Sequence, residues 1–312
     1  MRALAITLLL SFGPSSAFGG AGTAGGETLL VLPSARPAAM GQSFTAVSGN
    51  IDSLLYNPAG TVLESTAAVS LSYMRGLDGG GTGLAATSVR LWRFTLTPAY
   101  LYYNSGKMTV RNTGEAQREV TAQEDKIVIA ALGLELFDWM SVGGSMKSAK
   151  FSLADEASSS GSFFDLGALV HHEASGLSAG AAMQNYGKSI KYESEGDAAP
   201  RQVRVGVAWG GDLSTPGAGD YMDYGVTALV TGDYISQLED KSYKQFGVEF
   251  GLSTSESLLP FFAVRGGYMF DRDAESFTGG FGVKQGALGL DYAFGSGGDL
   301  SSRHQFTLSY LF

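Results

Sequence analysis

Cysteine is absent from the chain, which excludes disulfides, thiol nucleophiles and cysteine metal sites. Charge is scarce as well: 16% of residues are Asp, Glu, Lys or Arg, against ~25% in an ordinary globular domain. Past the first residues, no stretch approaches the ~18 uninterrupted apolar positions of a membrane-spanning helix. Histidine occurs three times, as adjacent His171 and His172 and as His304. Neighbours on a strand point to opposite faces, so the adjacent pair does not form a metal site. No G-x-S-x-G and no converging nucleophile and base are present, so the chain reads as non-enzymatic, with no catalytic residue, metal or cofactor. Gly81–Ala86 superficially resembles a dinucleotide loop, but it opens a strand rather than a helix. The formal charge is −9, or −10 if Arg2 leaves with a leader. With no basic stripe, nucleic acid is excluded as a partner.

What the chain does have is glycine, 44 of 312 residues, and a 44% hydrophobic content. Glycine weakens helices but lets strands twist and pack closely. The N-terminus pairs Arg2 with an apolar run, Ala3 to Phe12, followed by small residues at Ser15, Ala17 and Gly19. That layout predicts a secretory signal peptide over residues 1–19. A secreted, glycine-rich, charge-poor chain without helical spans suggests a membrane barrel.

From Ala67 to Phe312 the sequence alternates with period two, in pieces of the ~9–12 residues that a tilted membrane strand needs. Val203, Val205, Val207 and Trp209 alternate with Arg204, Gly206 and Ala208; Phe246, Val248 and Phe250 alternate with Gly247 and Glu249. About fourteen segments begin near residues 67, 82, 92, 126, 139, 162, 176, 200, 221, 242, 259, 276, 286 and 303. An even number is what a single-chain bacterial barrel requires. Odd connections, such as 104–125 and 187–199, are mostly long and polar, whereas most even ones, at Leu91, Asp138 and Gln285-Gly286, are tight. Long external loops and short periplasmic turns give that parity. The last strand alternates through Phe306, Leu308 and Tyr310 and ends on Phe312. It resembles the signal read by the barrel-assembly machinery. The expected fold is therefore an all-β, antiparallel transmembrane barrel over residues 67–312, in contact with outer-membrane lipid of a diderm bacterium. Trp92, Trp139 and Trp209, with Tyr100, Tyr102 and Tyr268, are expected in its aromatic girdles.

Residues 20–66 read differently: a glycine-rich start, a turn, a short irregular piece, a short helix near Asp52–Tyr56 and a turn at Asn57-Pro58. Pro58 keeps Asn57 out of the helical region. A compact piece preceding the strands is expected to fold into the lumen as a plug, or else to be a disordered periplasmic tail. Arg36, Met40-Gly41, Phe44-Thr45-Ala46 and Asn57-Pro58-Ala59-Gly60 resemble the N-terminal signature of the PorV/PorQ family, within the FadL-like group of fourteen-stranded barrels. The resemblance implies an N-terminal hatch and a role in type IX-like protein secretion or surface attachment, with secreted proteins as partners. Its alternative implication is uptake of hydrophobic molecules such as long-chain fatty acids. A general hydrophilic porin ranks behind both, because inward positions are mainly Gly, Ala, Ser and Thr rather than charged rings.

Glu135, Arg204, Glu249, Arg265 and Asp291 fall on inward positions, and Arg36 is expected to pair with Glu135, Glu249 or Asp291. Pro98 lies inside the third strand, where proline cannot donate to the ladder. It is expected to mark a local break, read either as a bulge or, as the resemblance implies, as a lateral gate.

Overall fold

The computed structural model describes residues 25–76, 79–110, 117–154, 156–192, 196–214, 224–238, 241–254, 260–271, 276–296 and 302–312. The expected signal peptide lies outside the described residues. The chain forms β1 (Ala67–Arg75), β2 (Gly81–Leu91), β3 (Phe94–Asn104), β4 (Lys107–Val110), β5 (Arg118–Thr121), β6 (Gln123–Phe137), β7 (Met140–Leu153), β8 (Ala157–His172) and β9 (Leu177–Gly187). These are followed by β10 (Ile190–Lys191), β11 (Gly196–Asp197), β12 (Gln202–Asp212), β13 (Tyr224–Gln237), β14 (Tyr243–Thr254), β15 (Phe261–Phe270), β16 (Phe277–Gln285), β17 (Leu288–Gly295) and β18 (Arg303–Leu311).

Fourteen of these strands close into one antiparallel barrel, each hydrogen-bonded to its neighbours in chain order, with β1 meeting β18. The other four form two small hairpins in long connections. The β4–β5 hairpin stands between β3 and β6, and the β10–β11 hairpin between β9 and β12. Periodicity placed every barrel strand, the largest offset being residue 162 against an observed start at Ala157. It missed both hairpins, which are too short to show an alternation. The turn expected at Leu91 is instead Trp92-Arg93, with Trp92 at φ 58.

Period-two alternation becomes a lipid face and a lumenal face. Val205, Val207, Phe250, Val264 and Leu290 are outward and exposed, while Arg204, Thr231, Glu249, Arg265 and Thr307 are inward and buried. So large an apolar belt has no place in water and suits a bilayer. Phe306, Leu308, Tyr310 and Phe312 lie on this outer face. Trp92, Trp139 and Trp209 all sit at the short-turn rim, where Phe137 stacks on Trp139 at 5.3 Å. At the long-loop rim the outward residues are tyrosines and cations, including Tyr73, Tyr102, Lys126, Lys150 and Lys244. Interfacial aromatic belts at both ends follow from rings that are apolar in body and polar at the tip.

Residues 25–66 are packed against the inner face of the wall. One α-helical turn, α1 (Ala35–Ala39), is flanked by 3-10 turns at Glu27–Leu30, Ile51–Leu55 and Pro58–Thr61. The helical turn at α1 was expected to be irregular, because five residues give no readable period. Asn57 is extended (φ −156, ψ 108) and caps the next turn, accepting from Ala59 N at 3.1 Å. Pro58 thus begins a new turn rather than only ending one.

Candidate functional site in the barrel lumen

The segment is held by two ionic clamps. In the first, Arg36 reaches β14 and donates to both Glu249 oxygens, Nε to Oε2 at 2.9 Å and Nη2 to Oε1 at 2.8 Å. Two parallel bonds of this kind fix direction as well as charge. Arg265 on β15 shares Glu249 and donates to Asp291 Oδ1 on β17 at 2.7 Å. Phe44 lies under the Arg36 guanidinium, 5.6 Å from its centroid. Of the three partners expected for Arg36, Glu249 is the one it binds. Glu135 is near the short-turn end of β6, paired with Arg90, and Asp291 is taken by Arg265.

The second clamp was not anticipated beyond Arg204 itself. Asp233 Oδ2 accepts from Phe44 N (3.0 Å), Thr45 N (3.1 Å), Thr45 Oγ1 (2.6 Å) and Arg204 Nη2 (3.1 Å). Arg204 also donates to Thr45 Oγ1 at 3.0 Å, Gln42 O at 2.8 Å and Gln245 Oε1 at 2.9 Å, with Tyr56 stacked 5.1 Å away. Both charged side chains are 0% exposed. Asp233 sits on an inward position of β13, a signal that strand parity carries. The same parity holds for a buried cluster on β7, β8 and β9, where Lys147 Nζ bonds Asp165 at 2.8 Å and Asn185 at 2.7 Å.

Elsewhere the segment touches the wall backbone to backbone. Gly143, Gly167, Gly180, Gly206, Gly247 and Gly267 turn their missing side chains toward it. At Gly143 a Cβ would lie 2.5 Å from Pro58 C, and at Gly267 it would fall on Met40 and Gly41. Asn57 Nδ2 bridges Thr45 O (2.8 Å) and Ala168 O on β8 (3.0 Å). A Cβ at Gly60 would run into Val47 O and Ser53, and Met40 is fully buried. Of the sequence motif, Arg36, Gly41, Phe44 and Asn57 bond the wall, Met40 and Pro58 lie against wall glycines, and Gly60 packs within the segment.

The lumen is two-sided. The two clamps lie on β12–β17, and the Lys147–Asp165 pair lies on β7 and β8. The other side, on β2, β3, β6, β7 and β8, buries Leu84, Leu101, Ile127, Ile129, Phe151 and Phe163 in one apolar cluster with Ala86 and Ala99 and with Leu54, Leu55, Tyr56 and Leu63 of the segment. The β2–β3 ladder lapses beside those alanines: pairing runs to Ala86↔Ala99 and resumes at Val89↔Leu96, leaving Thr87 and Ser88 unpaired with Pro98 and Thr97. Ser88 Oγ and Thr97 Oγ1 meet across this gap at 2.7 Å. Register is the same on both sides, so Pro98 marks a break and not a bulge, and its pairing with β6 is continuous.

Asp52, in the segment beside Arg36, is buried, and desolvation pushes its carboxyl up to about 6 from 3.8. The Asp291 charge adds to this, while Arg36 and the hydroxyls of Ser34 and Ser70 oppose it. A folded-state value above the unfolded one favours the fold below pH ~4, and that contribution is lost as pH rises through ~6. Asp52→Asn is thus expected to stabilise the protein at pH 8 by up to ~3 kcal/mol. Denaturant midpoints in micelles should converge near pH 3.5, and an equal gain at both pH values would refute the assignment. Among the described residues no cluster of His, Asp and Glu is arranged to hold a metal ion.

No family profile and no curated protein matches the chain. Solved structures do. The toluene transporter TbuX of Ralstonia pickettii superposes with a TM-score of 0.56 at 12% identity, covering 88% of this chain and 97% of that one. The CymD monoaromatic hydrocarbon channel gives 0.55 at 11%, covering 88% and 96%. The Pseudomonas putida toluene transporter TodX gives 0.54 at 10%, covering 88% and 95%. At such identities the likeness establishes the fold, a fourteen-stranded barrel spanned almost end to end.

Proposed function

We propose that the protein is an outer-membrane channel for uptake of small hydrophobic molecules, with residues 25–66 as its plug. The observation that carries this is the apolar half of the lumen wall, whose Leu101, Ile129, Phe151 and Phe163 form one cluster with Leu54, Tyr56 and Leu63 of the segment, beside the ladder gap at Pro98, so that moving the segment uncovers it. A hydrophobic solute gains by staying on that half and by leaving sideways into lipid instead of crossing the ionic half. Barrels of the same fold are named as toluene and monoaromatic hydrocarbon channels, which favours uptake over the secretion role that the PorV/PorQ resemblance implies. The ionic clamps hold the plug shut against water and polar solutes.

In this reading the gap is the exit. Pro98→Val supplies the missing ladder donor, worth ~1 kcal/mol, and that much added barrier slows passage about fivefold. Uptake of radiolabelled toluene or laurate by cells expressing either form measures this. Unchanged uptake in the variant would remove the lateral exit, while secreted proteins co-purifying with the barrel, without any uptake, would restore the secretion role.

A further inference from the structure

On the outer face of the wall, at the long-loop end, β1, β2 and β3 border a groove of about 610 Å³. Gly83 forms its floor and pairs with Tyr73 on one side and Tyr102 on the other. A side chain at Gly83 would meet nothing within 4 Å, so the space between the two tyrosines is open. Asn104, Gly106 and Lys107 form the upper wall, and Asn104 Nδ2 donates to the Tyr102 hydroxyl at 3.2 Å. In register with Tyr102 comes Lys126 on β6, and in register with Lys126 comes Lys150 on β7, both pointing outward. Lys126 pairs with Glu124 at 2.7 Å, and the same carboxylate also feels the Lys150 charge, so one anion serves two lysines.

Two cations directly opposed across a ladder repel each other; Glu124 offsets one of the two charges, and the net positive charge left over is met by a further anion. The groove supplies the rest of an amphiphile's needs. Below, it opens onto the lipid-facing Leu71 and Tyr100; above, it ends in an amide, an ammonium and tyrosine hydroxyls. The wall behind it is closed, with unbroken pairing of β1 to β2 and of Gly81–Ala86 to β3, and with Thr82, Leu84 and Leu101 buried on the lumenal side. An occupant therefore comes from the membrane and is not in transit to the lumen.

We propose that this groove, together with Lys126 and Lys150, binds a phosphorylated glycolipid of the outer leaflet. The sugar and the top of one acyl chain lie between Tyr73 and Tyr102, and the phosphate sits on the two lysines. The inference rests on the outer-membrane reading, so the test scores insertion separately, by the heat-dependent gel mobility of full-length protein folded into vesicles. Failure there would sink the membrane reading itself. In micelles, diphosphorylated lipid A is expected to raise the unfolding temperature by about 2–4 °C and to appear as a retained adduct in native mass spectrometry. Lipid A stripped of phosphate should do neither. Lys126→Gln/Lys150→Gln and, separately, Gly83→Leu should insert normally yet lose most of the shift. Equal shifts with both lipids, an undiminished shift in both variants, or displacement of lipid A by laurate would each overturn the proposal.

Discussion

Arg204→Ala is expected to lower stability by ~3–5 kcal/mol, the usual cost of removing one partner from a buried ion pair. The reason is geometric. Asp233 is completely buried, and one of its oxygens accepts four hydrogen bonds, three of them from Phe44 and Thr45 of the N-terminal segment. Without the guanidinium, the buried carboxylate loses the cation it pairs with. Gln42 O and the Gln245 amide oxygen lose a donor at the same time. The segment should then loosen around residues 42–45 before the barrel itself unfolds. Denaturant midpoints in micelles would measure the loss, and protease cutting near Thr45 would locate it. The double variant Arg204→Met/Asp233→Leu should not recover the loss, since Phe44 N, Thr45 N and Thr45 Oγ1 would then lack their acceptor in a buried site. A single-variant effect below ~0.5 kcal/mol, typical of a surface change, would show that the clamp does not hold the segment.

Gly267→Val should expel part of the segment while leaving the barrel able to form. A side chain at Gly267 points inward, onto the backbone of Met40 and Gly41, and a peptide unit cannot rotate aside as a side chain does. Gly41 itself is at φ 62 and donates to Thr278 Oγ1 at 2.9 Å, so the displaced turn also loses a wall contact. Overpacking commonly costs ~1–3 kcal/mol where side chains can adjust; here relief comes by moving residues 36–44 away from β15. The expected result is a barrel that inserts normally, exposes those residues to protease, and passes small polar solutes in a liposome-swelling assay. Gly266→Val is the control, because that position faces lipid and its added atoms approach only Val248, at 3.9 Å. Equal behaviour of the two variants would mean that the segment does not close the lumen.

The barrel was legible because a strand with one face in lipid and one in the lumen writes its geometry as alternation, and loop-length parity checks the strand number independently. Parity also put Arg204, Glu249, Arg265 and Asp291 inside. It could not say which lumenal charge meets which, since that depends on height along the barrel and on a segment with no period. Glu135 and Glu249 looked equivalent as partners for Arg36, yet Glu135 stands near the short-turn rim and Glu249 in the middle of its strand. The glycine seat was hidden for a related reason. Gly143, Gly167, Gly180 and Gly206 lie on four different strands, and only the closed sheet brings them to one path.

Closure of the barrel joins its first strand to its last. β1 pairs with β18 from Ala68↔Leu311 to Arg75↔His304, and Phe312 N donates to Ala67 O at 2.8 Å. The N-terminal segment on the inner face of the wall ends at residue 66, where that seam begins. This geometry sets an order of events during assembly. Until residues 303–312 arrive and zip onto β1, the sheet is an open trough, and residues 25–66 can settle onto their glycines from the side. After the seam forms, the same residues could enter only by threading, a slow route for a chain already tethered at its end. β18 is therefore the strand whose pairing with β1 encloses a segment that precedes β1 in the chain.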